Sequence, residues 1–183
     1  SIFVRMPSAL SIPMNSPTYN WGFESQPEPF LNNRRMNCPR GKVLGGTSSI
    51  NGMVYVRGHA SDIDAWEESG AKGWNYANCL PYFKKLETHE VVESEYAGNA
   101  GPIKISGGNR MKNPLYRAFV QAGVDAGYSE TADYNGYQQE GFGPKYMNIA
   151  DGIRASTGYS YLKPARQRGN LHIVKHALIH RVL

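Results

Sequence analysis

From Arg40 to Gly52 the chain reads Arg-Gly-Lys-Val-Leu-Gly-Gly-Thr-Ser-Ser-Ile-Asn-Gly. Glycine carries no Cβ, so a backbone built on Gly45, Gly46 and Gly52 can take positive φ and approach a ligand closely. The hydroxyls of Thr47, Ser48 and Ser49, with the N–H groups around them, are donors for phosphate or carbonyl oxygens. A cation, Arg40, opens the stretch. Such a loop is suited to an anionic cofactor. The same composition also describes a plain Gly-Ser surface loop, and residues elsewhere have to decide.

Other groups capable of chemistry are sparse. The five histidines are His59, His89, His172, His176 and His180. His176 and His180 have the spacing of metal ligands on a helix, but the surrounding Val/Leu/Ile pattern reads as a strand, where i and i+4 stand too far apart to chelate easily. HExxH does not occur. Cys38 and Cys79 lie far apart and outside any CxxC arrangement, so neither a disulfide framework nor a zinc site is indicated, and two free thiols suit a reducing compartment. The formal charge of +5 is scattered, with small groups at Arg34-Arg35, Lys84-Lys85 and Lys163 to Arg168. This is a solvated surface rather than a nucleic-acid interface, which would interleave a long basic run with aromatics. No apolar run approaches the roughly 18 residues of a membrane span, and 40% hydrophobic with 11% aromatic residues argues against wholesale disorder.

These residues need elements to hold them. Residues 1 to 39, interrupted by Pro7, Pro13, Pro17, Pro27, Pro29 and Pro39, read as an extended arm with a strand at "YNWGFES". A helix is predicted at 61 to 68, with Ser61 as N-cap and Gly70 as stop. A second is predicted from Tyr76 to Thr88, with Leu80, Phe83 and Leu86 at helical spacing and Pro81 within the first turn or so. "AGNAGPIKIS" reads as a hairpin. A third helix runs from Pro114 to Ala126, with Leu115, Phe119, Ala122 and Val124 as its apolar face and Gly127 ending it. "YNGYQQEGFGPKYMNI" is a turn and a strand, "ASTGYSYLKPARQ" a helix broken near Pro164, and "LHIVKHALIHRVL" is β-rich. The class is α+β, without internal repeats.

The longer string "RGKVLGGTSSINGMVYVRG" resembles the signature of the glucose-methanol-choline (GMC) family of flavoprotein oxidoreductases over nearly its whole length. "YNWGFESQPEPFLNNRRMNCPRG", "WNYANCLPYFKKLETHE", "YNGYQQEGFGP" and "GIRASTGYSYL" extend the resemblance along the chain, most closely to the choline-oxidising members. The resemblance implies part of a two-domain fold: residues 1–90 in the FAD-binding domain, 91–165 in a mixed or antiparallel-sheet substrate domain, and 166–183 as strands returning to the first. It implies FAD contacts at Gly45, Gly46, Thr47, Asn51 and Gly52, with Arg40 and Met53 close by. Ile179 would offer strand backbone to the adenine edge, or simply be a core isoleucine. Some relatives bind FAD covalently through a His in this loop; the matching residue is Ile50, which has no nucleophilic nitrogen, so FAD is expected to be non-covalent.

The GxGxxG fingerprint that grips the FAD pyrophosphate does not occur. None of the histidines matches the family's catalytic base. The chain therefore reads as an internal piece of a longer enzyme, partnered by the remainder of the same polypeptide, without a catalytic residue of its own and inactive alone. The implied substrate is a small alcohol, choline first, with the electron acceptor and any membrane association of the parent open. A cytoplasmic or peripheral inner-membrane location is the expectation. Tyr134, Tyr137, Glu140, Phe142 and Tyr146 could line a pocket for a quaternary ammonium, or be ordinary core and turn packing. Another GMC alcohol oxidase or lyase activity, or a non-catalytic binding module, are the alternatives.

Overall fold

The computed structural model describes residues 1–107 and 112–182. Two short helices, α1 (Ile2–Arg5) and α2 (Ser11–Asn15), open the chain, burying Ala9 and Pro13. The arm that follows folds back on itself. β1 (Phe23–Glu24) pairs antiparallel with β2 (Asn37–Cys38), and Asn32 and Asn33, both at φ 55°, turn the tip. Asparagine tolerates the left-handed region, where its short polar side chain can bond locally. The ribbon closes at its base through Trp21 N–H to Arg40 O (2.9 Å) and Lys42 N–H to Tyr19 O (2.7 Å). It thus delivers Arg40 and Gly41 to the start of the glycine loop.

α3 (Ala60–Glu68) and α4 (Tyr76–Leu86) form a helical hairpin. The cap of α3 is His59 rather than Ser61: its Nδ1 accepts the Ser61 N–H at 3.3 Å. An imidazole nitrogen here does the work expected of a hydroxyl. Asn75 caps α4 by accepting from Asn78 N–H at 2.9 Å. Asp64 accepts from Tyr76 N–H at 2.7 Å, and Glu67 from Gly73 N–H at 2.7 Å and the Asn75 amide at 2.9 Å, fastening the turn. Pro81 lies in the interior of α4, not its first turn, and leaves the Ala77 carbonyl without its helical donor.

The predicted hairpin at 97–106 is different in form. The chain returns antiparallel at one bridge, Thr88 to Asn99, then turns again so that β4 (Ile103–Ile105) runs parallel to β3 (Glu87–His89). Gly98 N–H to the Glu87 carboxylate and Gly101 N–H to Glu87 O, each 2.8 Å, draw the second turn over Glu87 and redirect the strand. α5 (Pro114–Asp125), capped by Asn113, ends at Gly127 with φ 90°. Its buried residues are Val120 and Gly123, not the predicted face; Leu115 is 72% and Phe119 67% exposed. The Phe142 ring lies on Gly123, where an added Cβ would meet it at 2.5 Å. Only a narrow strip of the helix is covered.

β5 (Ile149–Ala150) and β6 (Ile153–Arg154) form a tight hairpin. Its turn, Asp151 at φ 51° and Gly152 at φ 73°, matches the right-handed twist of the strands. A π-helical turn, Gly158–Leu162, leads into α6 (Lys163–Ala165), so the helix predicted around Pro164 changes winding there. Residues 171–182 are exposed and irregular, against the β-rich expectation; Leu183 lies outside the described residues. A strand needs a neighbour to take its backbone groups, and no described residue pairs with this segment. The core gathers Ile50, Met53, Ile63, Ile105, Tyr146, Ala150 and Ala155. Ile50 and Met53 carry it into the glycine loop and its exit.

Candidate functional site

The loop is held from three sides. Gly41 N–H donates to Thr47 Oγ1 at 3.1 Å, and a Cβ on Gly41 would stand 2.1 Å from Gly46 O, so only glycine lets the entering strand lie this close. A short 3₁₀ turn, Gly46–Ser49, follows. Ser49 is buried and donates to Leu44 O at 2.9 Å. From the far side, Thr157 N–H donates to Ser48 Oγ at 3.0 Å, Thr157 Oγ1 to Gly45 O at 3.2 Å, and Gly158 backs onto Gly45. The "LGGTSSIN" and "GIRASTGYS" segments, more than a hundred residues apart, are thus one unit.

Arg154 completes the clamp. It is 1% exposed; its Nε donates to Val4 O at 2.9 Å, and its Nη1 to Asn51 O at 2.6 Å and Asn51 Oδ1 at 2.9 Å. Burial lowers its pKa from the ordinary arginine value. Asn51 Oδ1 also accepts the Met53 N–H at 3.1 Å. Met53 sits at φ 62° with its side chain buried in the core. A left-handed non-glycine residue stores about 1–3 kcal/mol and persists only where its surroundings over-determine it. The loop then exits along Tyr146–Asn148: Tyr55 N–H bonds Tyr146 O at 3.0 Å and Asn148 N–H bonds Met53 O at 2.9 Å.

Two positions on the loop are open. At Gly46 and Gly52 nothing lies within 4 Å of where a Cβ would stand. At these two positions a flat or phosphorylated ligand can approach the backbone, and Thr47 between them in sequence is exposed. The donor chemistry and the missing side chains fit a flavin nucleotide.

Of the residues singled out in the sequence, Gly45, Gly46, Thr47, Asn51, Gly52 and Met53 come together on this loop. Gly45, at φ 91°, faces inward against Gly158 rather than into open space, and the Met53 side chain is likewise turned into the core. Arg40 stands exposed at the loop's entry, its Nη1 donating to the adjacent Pro39 O at 2.8 Å. Ile179 is 79% exposed in the irregular tail, outside any strand. The start of that tail does reach the loop: Leu171, Ile173 and Lys175 share a cleft of about 280 Å³ with Leu44. Ile50 is buried at 1% exposure.

The aromatic-acidic group divides. The Tyr134 hydroxyl donates to Tyr55 O and accepts from Tyr146 N–H, each at 2.8 Å. Tyr146 is buried, its hydroxyl bonded to Ala132 O and its pKa pushed up to about 12 by desolvation. Phe142 packs against Phe119 and Tyr128, while Tyr137 is fully at the surface. Tyr134 and Glu140 border a common open cleft of about 500 Å³, with Val56, Arg57 and His59.

Sequence reasoning missed two arginines. Arg154 lies inside a quoted motif, but nothing in its spacing shows that it bonds a loop a hundred residues earlier. Arg57 forms a buried pair with Glu87 at 2.8 Å, donates to Tyr96 O at 2.9 Å and lies over the Phe83 ring. Burial alone would lower its pKa; Tyr55 and the Glu87 charge more than offset this and raise it. Tyr55 is raised too, by burial first and then by Glu87. His89 stands edge-on to Tyr146 at 4.6 Å and is shifted downward by burial. Among the described residues no three His, Cys, Asp or Glu side chains converge as a metal site would require. No helix among them is long and apolar enough to cross a membrane.

The fold and the loop have counterparts. The chain is 59% identical over 184 residues to the oxygen-dependent choline dehydrogenase of Vibrio vulnificus (strain YJ016), covering 100% of this chain and 33% of that protein. With the enzyme of the same name from Pseudomonas aeruginosa (strain LESB58) it shares 52% identity over 181 residues, covering 98% and 32%. The chain thus spans about a third of the length of the curated relatives it matches. Among solved structures, pyridoxine 4-oxidase from Mesorbium loti superposes with a TM-score of 0.85 at 31% identity, covering 93% of this chain and 34% of that one. An FAD-dependent oxidoreductase from Chaetomium thermophilum gives 0.80 at 27%, covering 95% and 32%. The sequence profile described as GMC oxidoreductase matches residues 5–183, and the chain, mixed α+β with its glycine loop clamped by Arg154 and Thr157, belongs to that family.

Proposed function

We propose that these residues are part of an FAD-dependent alcohol oxidoreductase that oxidises choline to betaine aldehyde. The observation that carries this reading is identity of 52–59%, spread over nearly the whole chain, to proteins named oxygen-dependent choline dehydrogenase. The solved structures, at 31% identity or less, carry other names, among them pyridoxine 4-oxidase and formate oxidase. Shared fold does not settle substrate.

In this reading FAD, when bound, accepts a hydride from the alcohol carbon. The chain's own part is to hold and shield it. Gly46 and Gly52 let the backbone lie against the flavin, and Thr47 and Asn51 border it. Gly45 and Met53 shape the loop from its inner side, Arg40 is the cation nearest the entry for the pyrophosphate, and Ile179 offers main chain to the adenine. Ile50, apolar and buried, leaves FAD non-covalent at this position. The base that takes the alcohol proton lies in the remainder of the polypeptide, and residues 1–90 and 166–183 belong with the flavin domain, 91–165 with the substrate domain.

The accessible surface supports a parent larger than this chain. It measures 12935 Å², against about 8,800 Å² expected for a folded monomer of this size. Trp21, Phe30, Trp66, Trp74, Leu115 and Phe119 are among the large apolar side chains left exposed.

The test is substrate-dependent dye reduction and oxygen uptake by the intact polypeptide, with choline beside a panel of uncharged alcohols. Strong preference for choline is expected, with all flavin released by acid precipitation. Turnover of other alcohols but not choline would keep an oxidoreductase and discard the substrate. Absence of both flavin and turnover would overturn the reading.

A further inference from the structure

Among the described residues Arg154 is a buried cation without a counter-charge. Ion pairs join Arg57 to Glu87 and Lys104 to Asp151, neither of them reaching Arg154. Arg154 is met instead by carbonyl and amide oxygens, and its Nη2 has no hydrogen-bond partner among the described residues. Burying a guanidinium against dipoles alone is costly, and its bonds to carbonyl and amide oxygens offset part of that cost.

What the arginine does reach is the loop. Ser48 O, Asn51 O and Asn51 Oδ1 accept from its Nη1, and Val4 O anchors its Nε. Asn51 Oδ1 in turn holds Met53 N–H, so a single oxygen connects the guanidinium to the residue with left-handed backbone. The carbonyls of Ser48 and Asn51 are turned inward by these bonds. At Gly46 and Gly52 the space beside the backbone is left open.

We propose that Arg154 is the positioning residue of the flavin loop, fixing through Asn51 and Ser48 the backbone conformation that receives FAD. The inference rests on the FAD reading above. It assigns Arg154 no contact with flavin or substrate.

The experiment uses the intact polypeptide, freed of flavin, in wild-type, Arg154→Met and Arg154→Lys forms. Three readouts are taken: melting temperature without FAD, hydrogen exchange of the Ser48–Met53 amides without FAD, and the Kd for added FAD. Arg154→Met leaves the oxygens of Val4, Ser48 and Asn51 without their donor, so it is expected to stay folded but melt below wild type. Its loop amides should exchange faster, and FAD should bind about tenfold to a hundredfold more weakly, the scale of losing hydrogen bonds from a charged donor. Arg154→Lys, keeping the charge and up to three donors, should recover part of the affinity. Unchanged loop exchange or unchanged FAD affinity in folded Arg154→Met overturns the proposal. If Arg154→Met does not fold, Arg154→Gln is read by the same criteria. Wild-type protein that binds no FAD would instead sink the functional reading beneath it.

Discussion

Gly45 and Gly46 are neighbours with opposite surroundings, and alanine at each separates packing from ligand contact. A methyl on Gly45 would stand 2.6 Å from Ser49 Oγ and 2.9 Å from the Gly158 backbone nitrogen, at φ 91°. The Ser49 hydroxyl cannot swing away freely, being buried and bonded to Leu44 O. The left-handed backbone costs about 1–2 kcal/mol and the forced contact about 1–3 kcal/mol. Gly45→Ala should thus lose about 2–5 kcal/mol, a large part of the roughly 5–15 kcal/mol available to a domain. At Gly46, φ is 54° and nothing lies within 4 Å. The strain there is about 1 kcal/mol, partly offset by a stiffer unfolded chain. Its methyl, however, projects into the face assigned to FAD. In the intact polypeptide Gly46→Ala should melt within a few degrees of wild type, yet bind FAD at least about tenfold more weakly, or ~1.4 kcal/mol. Thermal melts and FAD titration read the two effects separately. Wild-type FAD affinity in Gly46→Ala would refute the assignment of the open face, and a wild-type melt for Gly45→Ala would refute the packing of the loop on Gly158.

Three further outcomes follow from the same geometry. Glu87→Leu, which leaves Arg57 buried without its counter-charge, should cost about 3–5 kcal/mol, while Glu87→Leu combined with Arg57→Met should recover most of it in a double-mutant cycle with the two single variants; additive losses would show that the pair is not coupled. His89 has a folded-state pKa held below its ordinary 6.5 by burial, so the unfolded state binds the extra proton first as pH falls. Stability attributable to His89 is therefore present above about pH 6.5 and lost progressively below it, and melting curves from pH 7 to 5 should fall less steeply in His89→Gln than in wild type. The 183-residue chain produced alone should bind a hydrophobic dye and self-associate with concentration, given its exposed aromatic surface; a monodisperse, dye-silent chain would contradict this.

Local signals were legible where local physics governs. α5 starts and stops where Asn113, Pro114 and Gly127 require, and α3 and α4 fall within two residues of their predicted bounds, since caps and helical spacing act within one turn. The glycine loop was legible as well: a pair of glycines followed by hydroxyls and an asparagine marks a backbone that must bend sharply and stay bare. Where the sequence reading went astray, the deciding partner was distant. β4 runs parallel to β3 because Glu87 captures Gly98 and Gly101. The buried strip of α5 is set by Phe142, not by the periodicity of the helix. Residues 171–182 carry a β pattern, but a pattern makes a strand only when another strand takes its backbone groups.

The division is clearest at the site itself. Sequence alone determined that residues 40–52 form a loop able to meet a ligand with backbone and hydroxyl donors, because glycine's freedom and the donor inventory are properties of the residues. Only the tertiary structure decided which positions on that loop are open and what holds it. Gly45 and Gly46 are the same residue type one position apart, yet one is pressed against Gly158 and the other has nothing within 4 Å. Arg154 acquires its role only when β6 brings its guanidinium under Asn51. Hydrogen bonds across a hundred residues depend on where the chain returns, and that is set by the packing of the whole core.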